Sequence, residues 1–174
     1  MNNGILLSSA LLRLCRTSRE DIDCVWETEH HPDNRPFIIP WTKERQLAVL
    51  ESSELLHAVI ETTDGKRVGY LIIAGLKNEH RSVELVRIVV SKKGAGYGRE
   101  AVRLVQRLAF EQLQAHRLWL DVKEHNVRAR SLYESAGFVT EGLLRECIAA
   151  EEGYDSLIVM SMLRREYETA GMNG

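Results

Sequence analysis

Hydrophobic and polar positions along the chain follow two periods and divide it into strand-like and helix-like segments. Apolar and β-branched runs predict strands over residues 11–15, 55–61, 67–74, 82–90 and 118–122, near residue 138, and over residues 156–163. Apolar residues recurring every three or four positions predict helices over residues 18–29, 42–51, 96–114 and 126–136. Because strands come first and helices then alternate with strands, we expect an α/β (α+β) fold with a mixed sheet and helices on its faces.

Length and charge bound the class of protein. The 174 residues contain no internal repeat and no Pro/Gly/Ser-rich linker, which indicates one domain over residues 1–174. A formal net charge of −2 provides no basic field, so neither nucleic acid nor a membrane is expected as a partner. No apolar run reaches the roughly 20 residues that cross a bilayer, and no signal-peptide pattern opens the chain. We therefore expect a cytoplasmic protein.

Residue spacing offers little support for metal or nucleophile chemistry. Cys15, Cys24 and Cys147 share no CxxC spacing, which argues against a disulfide framework or a cysteine zinc site. The six histidines lack HExxH or comparable spacing and are expected at the surface or in loops. No GxSxG nucleophile elbow occurs, and no base is identifiable for Cys147. We expect no metal site and no nucleophilic serine or cysteine.

A glycine-rich loop joins a predicted strand to the longest predicted helix. Residues 92–99 read KKGAGYGR, so three glycines and three cations converge on the start of that helix. A helix start offers unpaired N–H groups to an anion, and glycines allow a phosphate to approach the backbone closely. Lys92, Lys93 and Arg99 add positive charge. The segment therefore predicts a phosphate-binding loop.

A dinucleotide pattern competes for the same loop. Residues 96–101 satisfy GxGxx(G/A), and Asp121 ends a strand about twenty residues later, as that pattern requires. A nicotinamide-dependent oxidoreductase is therefore an alternative, although a dinucleotide fold needs several more βα units than the remaining chain provides. No GKS or GKT triplet follows, which excludes a P-loop nucleotide hydrolase.

A second signature lies in the predicted helix that starts at Asn126. Residues 126–138 read NVRARSLYESAGF, and together with residues 93–98 they resemble the GCN5-related N-acetyltransferase family. The loop is similar to that family's (Arg/Gln)-x-x-Gly-x-(Gly/Ala) pyrophosphate loop, with Lys93 in the first position. The helix is similar to its Asn-x-x-Ala-x-x-x-Tyr-x-x-x-Gly-Phe signature. The resemblance places the cofactor-binding core at about residues 82–142.

The resemblance implies a fold, a co-substrate and a set of binding residues. It implies a mostly antiparallel central sheet in which two parallel strands splay apart around acetyl-CoA, the acetyl donor, with no metal. The backbone of Ile88, Val89 and Val90 would pair with the pantetheine amides, and Asn126 would also bond to the pantetheine arm. Tyr133, two helical turns from Asn126 on the same face, would protonate the leaving sulfur. The remaining implied cofactor-binding residues are Lys93, Gly94, Ala95, Gly96, Tyr97, Gly98, Arg99, Ala129 and Arg130.

Glu84 is the candidate base that deprotonates the acceptor amine. Strand alternation places it on the same side as Val86, Ile88 and Val90. That face is apolar, and a carboxylate there is unfavourable unless it has a partner or a function. By resemblance, Glu84 also falls where some polyamine-acetylating relatives carry their base. One alternative is that Glu84 is a solvated carboxylate at the start of its strand. The other is that a water chain accepts the proton in place of any single base.

The resemblance further implies that the acceptor site is built by the segment after the first strand and by the last hairpin. Aromatic and acidic residues of these regions would suit a cationic amine, such as a polyamine, an aminoglycoside or a protein N-terminus. These residues are Trp26, Glu27, Glu29, Phe37, Trp41, Glu151, Glu152, Tyr154 and Asp155. The C-terminal part resembles both the ribosomal-protein N-terminal and the spermidine branches of the family. We predict direct acetyl transfer to a small-molecule or peptide amine, with a homodimer as one expected assembly; a non-catalytic acyl-CoA sensor is a further alternative.

Overall fold

The computed structural model describes residues 4–91 and 93–172, which form one eight-stranded sheet with helices packed on it. The strands are Ile5–Ser8 (β1), Leu12–Arg16 (β2), Leu55–Thr62 (β3), Arg67–Ala74 (β4), Ser82–Val90 (β5), Arg117–Lys123 (β6), Val139–Ala149 (β7) and Tyr154–Leu163 (β8). The α-helices are Ile22–His30 (α1), Lys43–Leu50 (α2), Tyr97–Arg107 (α3), Val127–Ser135 (α4) and Arg164–Met172 (α5). The strand order is β1-β2-β3-β4-β5-β6-β8-β7.

Antiparallel pairing dominates the sheet because most successive strands are joined by short turns. The β3–β4 turn contains Gly65 with φ of 86°, a left-handed conformation that glycine adopts without strain, and it confirms the hairpin that the Asp-Gly pair predicts. In the described part of the chain, β5 and β6 are the only parallel neighbours, and α3 crosses between them. The predicted mixed, mostly antiparallel α/β fold is confirmed.

The parallel pair separates soon after it forms. Only three residue pairs match β5 to β6: Ser82 with Arg117, Val83 with Leu118 and Glu84 with Trp119. The rest of β5 remains paired with β4, while β6 continues in register with β8. A gap therefore opens in the middle of the sheet, on the carboxyl side of Glu84.

Two apolar clusters hold helices against the two faces of the sheet. The larger cluster joins α3 and α4 to one face and includes Leu104 and Tyr133. The smaller cluster lies between α1, α2 and the other face and includes Val25 and Val49. Full burial of a side chain of this size stabilises the fold by about 1.5–3 kcal/mol, so the helices that flank the gap are firmly seated.

A β-bulge at Val86 interrupts the alternation of β5. Ile72 of β4 pairs with Arg87, whereas the next residue, Ile73, pairs with Leu85. Val86 is therefore an extra residue in β5, and such a bulge reverses the faces of the residues that follow it.

Because of this bulge, Glu84 does not share a face with Ile88 and Val90. Those two residues pack against the larger cluster, whereas Val86 packs against the smaller one. Glu84 follows the alternation that precedes the bulge and lies on the face of Val86. The prediction of one common face is therefore wrong for Ile88 and Val90, because strand alternation assumes two residues per repeat and the bulge inserts a third.

Several elements differ from their predicted bounds. The helix predicted to residue 114 leaves α-helical geometry at Arg107 and continues as a π-helical turn, Leu108–Gln112. β7 runs for 11 residues and is exposed almost throughout, so no alternation of burial marks it in the sequence. β1 and α5 were not predicted as separate elements. None of the helices within the described ranges is both long and apolar enough to cross a bilayer.

His57 departs from the expectation that the histidines lie at the surface or in loops. It is buried in β3 with 2% of its surface exposed. Its ring nitrogens lie 2.8 Å from Thr17 Oγ1 and 2.9 Å from Gln46 Oε1, and its ring stacks on Tyr70. The expectation is wrong here because two polar partners offset the cost of burying the imidazole.

Candidate active site

A cleft of about 800 Å³ occupies the gap between β5 and β6. Its walls come from both strands, the start of α3, α4, the β7–β8 hairpin and residues 34–39. The lining residues that the sequence analysis predicts for the site are Ile88, Val89, Val90, Lys93, Gly94, Gly96, Gly98, Arg99, Asn126, Ala129 and Tyr133. The two motifs therefore meet in one cavity of the size that holds a small-molecule ligand.

The glycine loop forms one end of this cleft. Gly94 and Gly96 adopt φ of 83° and 79°, and no atom lies within 4 Å of the position that an added Cβ would take. Gly96 precedes α3, whose first N–H groups have no partner inside the helix. Lys93 and Arg99 line the cleft beside these groups, whereas Lys92 lies outside the described residues. Backbone donors, open space and cations together fit the diphosphate of coenzyme A.

The backbone of β5 forms the middle of the cleft. Ile88, Val89 and Val90 line it after the last match between β5 and β6. On the β6 side this strand has an open edge, and an open edge offers N–H and C=O groups for pairing with an extended ligand. The amides of a pantetheine arm have the chemistry that such an edge binds.

The start of α4 brings Asn126 to the cleft in a structural role. Its side-chain oxygen accepts a hydrogen bond of 3.2 Å from the Ala129 N–H, which makes Asn126 the N-cap of α4. Both residues line the cleft. Within the described residues the amide nitrogen of Asn126 donates no hydrogen bond, so capping and ligand binding are compatible.

Tyr133 reaches the cleft from the buried side of α4. Only 7% of its surface is exposed, and its ring packs against Phe138 at 5.8 Å between centroids. Burial raises the pKa of the Tyr133 hydroxyl above its ordinary value of 10, and the negative charge of Asp121 raises it further. The phenol therefore stays protonated and can donate a hydrogen bond to a developing thiolate.

Two carboxylates lie on one face of the sheet where the strands separate. Glu84 matches Trp119 across the strands, and Asp121 follows two residues later on the same face. Asp121 lines the cleft and Glu84 does not. Loss of hydration raises the pKa of both carboxyl groups, and the charge of Asp121 further raises the pKa of Glu84. Both shifts favour carboxylates that can accept a proton.

The segment of residues 33–41 runs along the cleft from the glycine loop to β5 and is held by hydrogen bonds from cationic side chains. Three side chains donate hydrogen bonds to its carbonyl groups: Lys93 to Asp33 (2.7 Å), Arg87 to Ile39 (2.8 Å) and Lys123 to Pro36 (3.3 Å). All three cationic residues line the cleft. The segment is thus anchored to the glycine loop, to β5 and to β6 at once.

Glu29 supports this segment from inside the protein. Its side chain is fully buried, and its carboxylate accepts hydrogen bonds from the Tyr70 hydroxyl and the Arg87 guanidinium. It also accepts a bond of 3.0 Å from the Trp41 N–H. Glu29 is therefore a structural anchor, and its charge is not available to an acceptor amine.

Some predicted site residues lie away from the cleft. Ala95, Tyr97, Arg130 and Glu84 are not among the residues that line it. Arg130 instead donates a hydrogen bond of 3.2 Å to the Glu124 carbonyl. Ligand roles for these residues stay predictions.

The residues expected at the acceptor site separate in space. Phe37 lines the cleft, whereas Trp26 and Trp41 line a smaller cavity of about 370 Å³. Asp155 is paired with Lys123 at 2.8 Å. The others line neither cavity: Glu27, Glu151, Glu152 and Tyr154.

Sequence reasoning missed several cleft residues. Apart from Asp121, which the sequence marks only as part of a dinucleotide pattern, they include Ile38, Ile39, Arg87, Lys123, Ile148 and Leu157. They come from four segments far apart in the chain, so no local motif joins them. The one available signal is a charged residue in an apolar strand, which marks Asp121 and Arg87.

The family model described as "Acetyltransferase (GNAT) family" matches residues 13–138. A spermidine N(1)-acetyltransferase from Vibrio cholerae is 27% identical over 146 residues, which cover 78% of this chain and 84% of that protein. A putative ribosomal N-acetyltransferase from Bacillus subtilis is 30% identical over 138 residues, which cover 77% of this chain and 71% of that protein.

Solved structures share the fold. A crystal structure of the V. cholerae spermidine N-acetyltransferase in complex with CoA and spermine has a TM-score of 0.83 at 22% identity and covers 92% of this chain and 99% of that one. A dodecameric structure of the same kind of enzyme, in an intermediate state, has a TM-score of 0.78 at 23% identity and covers 91% and 97%.

Proposed function

This chain belongs to the acetyltransferase (GNAT) family and acetylates an amine with acetyl-CoA, and from that premise we propose which of its residues bind the substrates and move the protons. The observation that carries the proposal is the separation of β5 from β6, which places the glycine loop, the open edge of β5 and Tyr133 around one cleft.

Acetyl-CoA enters along the line of this cleft. The diphosphate binds the N–H groups at the start of α3, beside Gly94 and Gly96, with Lys93 and Arg99 adding charge. The pantetheine arm pairs with the open edge of β5. This arrangement brings the thioester to the level of Tyr133, deep between the strands.

The acceptor amine approaches from the side of Asp121. An amine must lose a proton before it attacks, and the raised pKa of Asp121 makes its carboxylate a stronger base than an ordinary aspartate. Asp121 takes the proton that the ammonium form loses, and the free amine nitrogen then attacks the thioester carbonyl carbon. As the carbon–sulfur bond breaks, Tyr133 passes its hydroxyl proton to the departing sulfur, and the second proton of the nitrogen, released as the amide forms, restores the Tyr133 hydroxyl. Glu84, acting through water, is the second candidate base.

The acceptor is proposed to be a small-molecule or peptide amine. The relatives support this breadth, since one is named a spermidine N(1)-acetyltransferase and another a putative ribosomal N-acetyltransferase. A single domain over residues 1–174, assembly as a homodimer and a cytoplasmic location stay predictions.

The two alternative functions make different demands on the structure. A dinucleotide-binding oxidoreductase uses a largely parallel sheet, whereas this sheet has one parallel pair within the described residues. A non-catalytic sensor would bind acetyl-CoA without turnover, and the phenol of Tyr133 at the centre of the cleft favours catalysis.

The experiment combines ligand binding with turnover. Coenzyme A, and not NAD, should raise the melting temperature, because only a ligand of the folded state stabilises it. Acetyl-CoA with a panel of amines should release free thiol, with the acetylated amine identified by mass spectrometry. A thermal shift with coenzyme A but no thiol release across the panel would favour the sensor, and a shift with NAD alone would favour the oxidoreductase.

A further inference from the structure

We propose that this enzyme selects an acceptor whose primary amine is attached to an apolar group and carries the only positive charge, in preference to a polyamine. The inference rests on the proposed function, because it concerns the amine that enters the same cleft. Its basis is the chemistry of the acceptor end, where apolar side chains face a single carboxylate.

Apolar side chains form both walls of the acceptor end. Phe37, Ile38 and Ile39 line it from the segment that runs along the cleft, and Ile148 and Leu157 line it from the β7–β8 hairpin. Phe37 is 37% exposed and Ile39 is 50% exposed, so much of this apolar surface lies open to an incoming ligand. An acceptor that covers it removes apolar area from water, which strengthens binding roughly fourfold per buried methylene group.

Negative charge among the described residues that line this end is limited to one group, because Glu84 lies on the same face but does not line the cleft. Among the described residues that line the cleft, Asp121 is the one carboxylate. Asp155 is already paired with Lys123, and the buried Glu29 is paired with Arg87.

A second ammonium group would therefore lack a partner. Asp121 serves the nitrogen that reacts, so another charge on the acceptor would rest against the apolar walls. The other charged side chains at this end, Arg87 and Lys123, are positive and also line the cleft. Moving a charge from water into such surroundings without a counter-charge is unfavourable.

The apolar wall is preformed. Arg87 donates to the Ile39 carbonyl at 2.8 Å, and Lys123 donates to the Pro36 carbonyl at 3.3 Å, on either side of Ile38. The Arg87 guanidinium also lies 4.7 Å from the centre of the Trp41 ring. The segment would have to break these contacts to turn its apolar side chains away from a polycation. The apolar wall, and the selectivity that it causes, therefore exist before an acceptor binds.

The test compares amines that differ in charge, and its central pair has carbon chains of equal length. Purified enzyme with acetyl-CoA is assayed by thiol release with hexylamine and 1,6-diaminohexane, and with 2-phenylethylamine and spermidine. We expect kcat/KM for the monoamine to exceed that for the matched diamine by about tenfold or more, although the diamine has two reactive ends. Leucyl-glycyl-glycine and arginyl-glycyl-glycine extend the comparison to peptide amino termini and distinguish a peptide acceptor from a small amine.

Two variants connect the preference to the wall. Ile39→Glu should lower kcat/KM for hexylamine and raise it for 1,6-diaminohexane, because the new carboxylate gives the second ammonium group a partner. Leu143→Glu is the matched control, since Leu143 is an exposed apolar residue of β7 outside the cleft, and it should leave the ratio unchanged.

The outcomes separate the inference from the proposed function. Equal or higher kcat/KM for the diamine and spermidine in the unmodified enzyme would overturn the inference while leaving acetyl transfer intact. A folded Ile39→Glu variant with an unchanged ratio would remove the wall as the cause. Absence of thiol release with every amine would overturn the proposed function and this inference with it.

Discussion

Glu84 and Trp119 stand opposite each other as the last matched residues of the two parallel strands. Beyond them β5 and β6 separate, and the cleft begins. Asp121 lies two residues past Trp119 on the same face, so two carboxylates lie on the acceptor side of the opening. Only Asp121 lines the cleft. Asp121 is therefore better placed than Glu84 to act on an amine bound in the cleft.

Asp121→Asn should lower kcat/KM by about 100-fold, the low end of what a positioned general base contributes, whereas Glu84→Gln should lower it less than about tenfold. Because burial raises the pKa of Asp121, the activity of the unmodified enzyme should rise with pH through that raised value. The Asp121→Asn variant should lose this acidic limb of the pH profile. A larger loss in Glu84→Gln, or an acidic limb that survives in Asp121→Asn, would transfer the role to Glu84.

Tyr133→Phe should lower kcat by about 100-fold while changing the Kd of coenzyme A by less than about twofold, since the hydroxyl acts on the sulfur only as it departs. Single-turnover rates and calorimetry measure the two quantities. Tyr167→Phe is the control, because Tyr167 donates a hydrogen bond to Glu111 of the π-helical turn and does not line the cleft. An unchanged kcat in Tyr133→Phe would remove this residue from the mechanism.

Gly96→Ala should weaken coenzyme A binding by about tenfold or more, because a methyl group would occupy the space that a diphosphate needs beside the start of α3. Gly153→Ala supplies a matched control: its φ of 78° is close to the 79° of Gly96, and open space likewise surrounds it, but it lies in the β7–β8 turn. Both variants should lose about 1–2 kcal/mol from left-handed strain. Equal coenzyme A affinity in the two variants would contradict diphosphate binding at this loop.

Acid should destabilise the protein through His57. Burial lowers the pKa of His57 to about 4, against 6.5 for the ordinary residue. As the pH falls below 6.5 the unfolded chain binds a proton that the folded protein does not, so the free energy of unfolding decreases down to about pH 4. This difference corresponds to about 3 kcal/mol at 1.36 kcal/mol per pKa unit.

Urea unfolding across that pH window tests the effect. His57→Gln should show a shallower decrease in the free energy of unfolding, whatever its stability at neutral pH. His80→Gln, which replaces a side chain that is 82% exposed, should keep the slope of the unmodified protein. Identical slopes in all three proteins would show that His57 is not the group responsible.

The cofactor-binding half of the cleft can be predicted from the sequence because the residues that form it are close together in the chain. A glycine loop and the helix that follows it are specified by neighbouring residues, and Asn126 and Tyr133 are related by the pitch of a single helix. The strand pattern, the hairpin at Gly65 and the mixed sheet were likewise set by short-range periodicity. These features, together with the family, are what the sequence by itself determined.

The acceptor half was decided by tertiary structure because its residues meet only after the sheet forms. The bulge at Val86 reversed the expected neighbours of Glu84, and its position depends on how β4 pairs with β5. Glu29, expected to attract an amine, is instead neutralised by Arg87, which lies 58 residues away in sequence. Asp121 acquires its place because β6 separates from β5. Periodicity describes one element at a time, and contacts between distant elements are what determine which charges remain free.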